Sequence, residues 1–200
     1  MGPDYQIVEY SAFARSWHKC GLRYLMTCSR GQNDQCQAES NTSQGETVFP
    51  EPWQSIWLDR QRLQIHMLWT YFELGQDLML PDKSRKYVEL FSRILAHLDL
   101  PSEKIVLWPL TEYQGSSLVP RQDYFWQGVD LFRPLYTVIF GQEAMQLICP
   151  ELTAKYGSYY YDRVQMVYLP GPSDMLPDNR QAKGFVWQML LQLQQEIMRT

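Results

Sequence analysis

From about residue 53 onward, the chain alternates between two patterns of apolar and polar positions. Four short apolar runs, rich in β-branched and aromatic residues, are typical of buried strands: LQIHMLWTYF (63–72), KIVLWPL (104–110), LYTVIF (135–140) and RVQMVYLP (163–170). We therefore predict four core strands in this part of the chain.

Segments with helical periodicity follow or separate these strands. Helices are predicted at residues 84–98, 121–134 and 141–148, and from an N-cap at Asp178 to the end of the chain. In the first of them, four apolar residues share one face: Val88, Phe91, Leu95 and Leu98. Asp82 is the predicted N-cap of this helix.

Strands that alternate with helices favour a mainly parallel sheet covered on both faces. We therefore predict an α/β fold, a three-layer α/β/α domain with a four-stranded, mainly parallel sheet. The expected strand order is 2-1-3-4, with the first strand central and right-handed connections.

The N-terminal quarter of the chain has a different character. In residues 5–28 the apolar positions do not repeat with one helical or strand period. Residues 29–52 are rich in Ser, Gln, Asn and Gly and contain few apolar side chains that could be buried. We predict an N-terminal extension with a polar loop at residues 1–52 and the α/β/α domain at 53–200. Limited proteolysis is expected to cut first within 29–52.

Composition restricts the function classes. The 200 residues are 45% hydrophobic and 20% charged, which is typical of a globular protein. Because no apolar run approaches about 20 residues, and the start MGPDYQIVEYSAF has no leader pattern, we expect a cytoplasmic protein without membrane contact. The net charge of −4 gives no global basic footprint, so DNA binding would require a local patch.

The cysteines do not indicate a cofactor. Cys20, Cys28 and Cys36 are spaced by eight residues and lack the close pair of a zinc knuckle, and Cys149 lies far away. Four cysteines are also too few for a disulfide framework in a chain of this length. We therefore favour free thiols and predict neither a metal nor a cofactor.

Ligands of parallel sheets bind at the carboxyl ends of the strands. The segments that follow the four predicted strands are ELGQD, PLTEYQG, GQEA and PGPSDML. They supply one candidate catalytic residue, Asp77, and candidate ligand-binding residues at Gly75, Gln76, Gly141, Gly171 and Ser173. The alternative is that these are turn residues, because Asp and Ser often bond to the local backbone in turns.

Two of these segments resemble motifs of the uracil-DNA glycosylase superfamily. LGQD (74–77) resembles the water-activating motif, and GPSDML (171–176) resembles the His-Pro-Ser loop. The resemblance covers about residues 63–198 and implies a pocket for a flipped base, in which Asp77 orients a water molecule. Gly171 stands where the family has His, and Leu78 with Met79 replaces Pro-Tyr.

The run LFSRILAHLDLPSEKIVLWPL and the final VWQML also resemble the psi-subunit family of bacterial DNA polymerase III, whose members are non-catalytic. We therefore expect a divergent, catalytically weak or inactive protein that acts in bacterial DNA replication or repair through protein contacts. One alternative is an active glycosylase that excises uracil or another deaminated base with Asp77. Another is a fold relative that binds an unrelated small ligand.

Overall fold

The computed structural model describes residues 49–80, 85–153, 155–161 and 163–199. Helices in these residues are α1 (Trp53–Arg60), α2 (Leu74–Met79), α3 (Arg85–His97), α4 (Gln122–Phe132), α5 (Gln142–Ile148), α6 (Pro172–Met175) and α7 (Arg180–Met198). Strands are β1 (Met67–Tyr71), β2 (Ile105–Leu107), β3 (Thr111–Gln114), β4 (Ser117–Pro120), β5 (Tyr136–Phe140), β6 (Gly157–Tyr161) and β7 (Val164–Leu169).

The main sheet is mixed and has the order β2-β1-β5-β7-β6. The first four of these strands pair in parallel, whereas β6 pairs antiparallel with β7. The predicted α/β class is therefore confirmed. All four predicted strands are present in the sheet. The prediction that the sheet has four strands in total is wrong, because the segment GSYYY has the alternating burial of a strand and adds a fifth at the edge.

The sheet separates two apolar cores, because successive side chains of a strand point to opposite faces. Met67, Trp69 and Tyr71 face α3 and α7, whereas Leu68 faces the other core. That second core is covered by α1, α4 and α5. The result is a helix layer on each face of the sheet, as expected for a three-layer domain.

Some predicted boundaries differ from the observed ones. β1 begins at Met67 rather than residue 63, and Leu63 is 39% exposed. The cap of the last helix is Asn179 rather than Asp178, since the Asn179 side chain accepts a hydrogen bond from the Ala182 N–H at 3.1 Å. The other predicted cap, Asp82, lies outside the described residues.

The described part of the chain begins at a buried residue. Phe49 is 3% exposed and makes edge-to-face contacts with Trp57, Trp108 and Tyr124, so packing of the second core extends to residue 49. Residues 1–48 lie outside the described residues, and the predicted extension and its cleavage remain predictions. The described cysteine, Cys149, is a buried free thiol.

Candidate functional site

The LGQD segment forms the start of helix α2, and not the turn that was the alternative interpretation of its residues. Leu74 is buried in the core, and Gly75 brings the helix against the backbone of β3. A Cβ added at Gly75 would lie 2.0 Å from the Thr111 carbonyl oxygen, so a larger residue cannot occupy this contact without movement. Gly75 therefore has a packing role that explains its presence.

Asp77 lies on the inner side of α2. Its side chain has no exposed surface, and the Tyr71 hydroxyl donates a hydrogen bond to its Oδ2 at 2.6 Å. The Tyr71 ring stacks on Phe91 with ring centroids 4.7 Å apart. The carboxyl group of Asp77 is thus held against the core between the sheet and α3.

Burial and neighbouring acids shift the ionisation of this region. Burial raises the pKa of Tyr71 well above its ordinary value of 10, and the adjacent Asp77 raises it further. Burial also raises the pKa of Glu73, with repulsion from Glu143 and Asp77 acting in the same direction and its own backbone N–H opposing them. Glu73 is therefore repelled electrostatically by both Glu143 and Asp77 at this end of the sheet.

A cleft of about 410 Å³ opens at the carboxyl ends of β1, β5 and β7. It brings together three of the predicted ligand-binding residues: Gly141, Gly171 and Ser173. Gly75, Gln76 and Asp77 are not among the described residues that line it. The predicted site is therefore divided between an open cleft and helix α2, in which Gly75 and Asp77 are buried and Gln76 is partly exposed.

Gly141 and Gly171 form the back of the cleft by close contact of two backbones. Gly141 has a φ of 91°, which favours glycine, and a Cβ added at Gly171 would lie 2.9 Å from the Gly141 Cα. The strand-to-helix turns after β5 and β7 can approach this closely because neither residue has a side chain. The position where the sequence resemblance expects an imidazole is thus occupied by a backbone contact.

The loop after β7 is ordered by Asp174. The Gly171 N–H donates a hydrogen bond to Asp174 Oδ2 at 2.8 Å, and the Tyr156 hydroxyl donates to the same oxygen at 3.4 Å. Ser173, which is exposed, lies at the mouth of the cleft. Asp174, the third residue of α6, therefore accepts from the N–H of the N-cap residue Gly171, as in a capping box, and fixes the orientation of the turn.

The cleft is acidic. Glu73, Glu143 and Asp174 line it, and no Lys or Arg is among the lining residues that the structure describes. Because carboxylates repel phosphate groups, this arrangement disfavours a nucleic-acid backbone in the cleft. A cationic or neutral ligand would be tolerated better.

Sequence reasoning missed the carboxylates of the cleft and Tyr156. Glu73 and Glu143 directly follow strands in ELGQD and GQEA, so their positions at strand ends were a usable signal. Tyr156 precedes β6, an element that the sequence did not predict, and its place beside Asp174 depends on that strand. The acidic character of the cleft is therefore partly visible in the sequence.

Comparison with known proteins gives no family for this chain. No protein-family model matches it, and no curated protein matches it by sequence. The described helices include none that is long and apolar enough to span a bilayer. In the described residues, no cluster of three or more His, Cys, Asp or Glu side chains has the arrangement of a metal site.

Proposed function

We propose that this chain is a divergent uracil-DNA glycosylase-type domain with weak or no base excision, acting in bacterial DNA replication or repair through contacts with other proteins. The observation that carries the proposal is the environment of Asp77. A water-activating carboxylate must reach both a water molecule and the substrate, whereas Asp77 has no exposed surface and is hydrogen-bonded to Tyr71. Cytoplasmic location is part of the proposal.

The cleft supports the same conclusion. A leaving uracil anion needs a preorganised donor, and loss of one such donor commonly reduces the rate about 100- to 1,000-fold. The contact between Gly141 and Gly171 leaves no space for an imidazole at this position without backbone movement. The parallel strand order β2-β1-β5-β7 is compatible with the proposed fold type, although it does not determine the function.

The charge of the molecule favours a protein partner over DNA. The chain carries a net charge of −4, and the cleft adds local negative potential at the place where a glycosylase would hold a flipped nucleotide. Binding of the phosphate backbone generally rests on Lys and Arg contacts, which the described cleft residues lack.

The test is base excision under single-turnover conditions, with the protein in excess over uracil-containing or hypoxanthine-containing DNA. Native protein and Asp77→Asn are compared with a no-protein control. We expect both proteins to release base at a rate equal to the control or only slightly above it. Robust uracil release by the native protein that disappears in Asp77→Asn would contradict the proposal and establish a glycosylase.

A separate measurement addresses the protein contacts. Cross-linking of the full chain in its source cells, followed by mass spectrometry, is expected to identify replication or repair proteins. Each candidate is then purified and tested for direct binding. Failure of all of them to bind the purified chain would contradict this half of the proposal.

A further inference from the structure

A second concave surface lies on the opposite side of the helix layer from the sheet, between α3 and α7. This groove has a volume of about 410 Å³, within the range of about 300–1,000 Å³ that is usual for sites holding a small molecule or a few side chains. Its walls and floor are apolar: Leu90, Ile94, Met175, Val186 and Trp187. Such a surface gains free energy when an apolar side chain displaces water from it.

Two cationic side chains flank this apolar surface. Arg93 and Lys183 line the groove together with His97, and no carboxylate is among the lining residues that the structure describes. Lys183 also contacts Asp178 at 3.3 Å, which neutralises part of its charge. Arg93 is exposed, and in the described part of the chain no carboxylate lies within salt-bridge distance of it.

The sign of this charge is opposite to that of the whole molecule. The chain is acidic overall, and the cleft at the sheet edge is lined by carboxylates, yet the lining of the groove is cationic and apolar. Charge complementarity mainly determines which partner associates and in which register, whereas burial of apolar side chains supplies affinity. The groove therefore selects a partner that combines a large apolar side chain with nearby carboxylates.

We propose that the groove between α3 and α7 binds a short acidic segment of a partner protein, with one or two large apolar side chains seated between Ile94 and Trp187. Carboxylates on both sides of those apolar residues pair with Arg93 and Lys183. This inference rests on the proposed action through protein contacts and adds the site and the chemistry of the partner.

Other occupants fit the groove less well. Residues 5–28 of this chain carry Arg15, Lys19 and Arg23 against Glu9, so their charge has the same sign as the groove. Residues 29–48 are acidic, but they contain no aromatic residue, Leu, Ile or Met that would fill the apolar floor. Phosphate groups of DNA could pair with the cations, but they would gain nothing from the apolar floor. An acidic peptide uses both features.

The test is selection from a displayed peptide library on the immobilised full chain. Library peptides have a central pair drawn from Leu, Phe and Trp, with randomised flanks. We expect enriched peptides to carry Asp and Glu in the flanks. Their binding, measured by fluorescence polarisation, should weaken by about tenfold or more in Arg93→Glu or Lys183→Glu, since tenfold corresponds to about 1.4 kcal/mol.

Arg62→Glu is the matched control because it makes the same charge change at an exposed residue that follows α1, on the other face of the sheet. It should leave the affinity within about twofold, since exposed charges beyond a Debye length are largely screened. Ile94→Asp should also weaken binding, and Arg93→Glu keeps the test valid if Ile94→Asp lowers folding stability. Thermal unfolding of each variant checks the fold.

Several results would overturn the inference: no enriched peptide, enrichment without acidic flanks, or equal binding by native protein and Arg93→Glu. A dimer that Arg93→Glu dissociates would identify a second copy as the occupant, and DNA that competes with the selected peptide would identify nucleic acid. Robust uracil excision would defeat the proposed function whatever the peptides do. Absence of both excision and peptide binding would defeat this inference alone.

Discussion

Gly75, Gly141 and Gly171 each lie where two backbones approach closely. A side chain at Gly75 would meet the Thr111 carbonyl, and side chains at Gly141 and Gly171 would meet each other's backbone. Glycines near strand ends are typical of anion-binding turns, but close packing produces the same residue type. At these positions the packing requirement is sufficient to explain the glycines.

Gly75→Ala should therefore lower the free energy of unfolding by about 1–3 kcal/mol or more, because overpacking forces the backbone to move. Gly184→Ala is the matched control. Gly184 lies on α7, and a Cβ added there would have no neighbour within 4 Å. In a helix this substitution should raise stability by up to about 1 kcal/mol. Urea unfolding of both variants measures the difference, and a Gly75→Ala protein as stable as the native one would refute the packing explanation.

Because Tyr71 is buried, we predict that the free energy of unfolding decreases in alkaline solution. The pKa of Tyr71 is raised in the folded protein, mainly by burial, so above pH 10 the unfolded chain ionises while the folded one does not. The free energy of unfolding should then fall by up to about 1.4 kcal/mol per pH unit until the folded pKa is reached.

Urea unfolding between pH 8 and pH 11, a range chosen to bracket the ordinary tyrosine pKa, measures this slope. Tyr71→Phe should have a shallower slope than the native protein. Tyr160→Phe, at a position that is 77% exposed, is the control and should leave the slope unchanged. Equal slopes for native protein and Tyr71→Phe would rule out the predicted contribution of Tyr71.

At the scale of elements, long periodic segments could be predicted from the sequence and short ones could not. Residues 84–98 and 135–140 have enough apolar repeats to define α3 and β5, and the structure contains both. The helix at LGQD was not predicted, and a turn was one interpretation of it, because the contact of Gly75 with Thr111 that accompanies the helix is tertiary. The hairpin of β3 and β4 was missed although Gly115, with a φ of 63°, marks its turn.

Helix α3 should contribute strongly to stability through Phe91, which has no exposed surface and packs on Tyr71 and Phe140. Phe91→Ala should lower the free energy of unfolding by about 3–5 kcal/mol. Leu58→Ala, at a residue of α1 that is 58% exposed, should change it by no more than about 0.5 kcal/mol. Similar losses in the two variants would show that the α3 face is not a core interface.

For the whole molecule, the distribution of charge over the surface indicates the kind of binding partner better than the net charge does. The sequence provides the value of −4, but the fold separates an acidic cleft at the sheet edge from a cationic groove between α3 and α7. Gly141, Gly171 and Ser173 lie in one cleft because the strands that precede them end at the same edge of the sheet, so this part of the site could be predicted from the sequence. The inward orientation of Asp77 could not be predicted, because it depends on Tyr71 and on the helical path of α2.

The most direct test of a structural role for Asp77 is a double-mutant cycle with Tyr71, measured as free energies of unfolding. Tyr71→Phe and Asp77→Asn should each lower stability by about 1–3 kcal/mol, because a buried polar contact is weakened or lost. Residues in direct contact should show an interaction energy of about 0.5–3 kcal/mol. Carboxylates that serve catalysis often reduce the stability of the protein. This account would therefore be contradicted if Asp77→Asn were at least as stable as the native protein and showed no interaction energy with Tyr71.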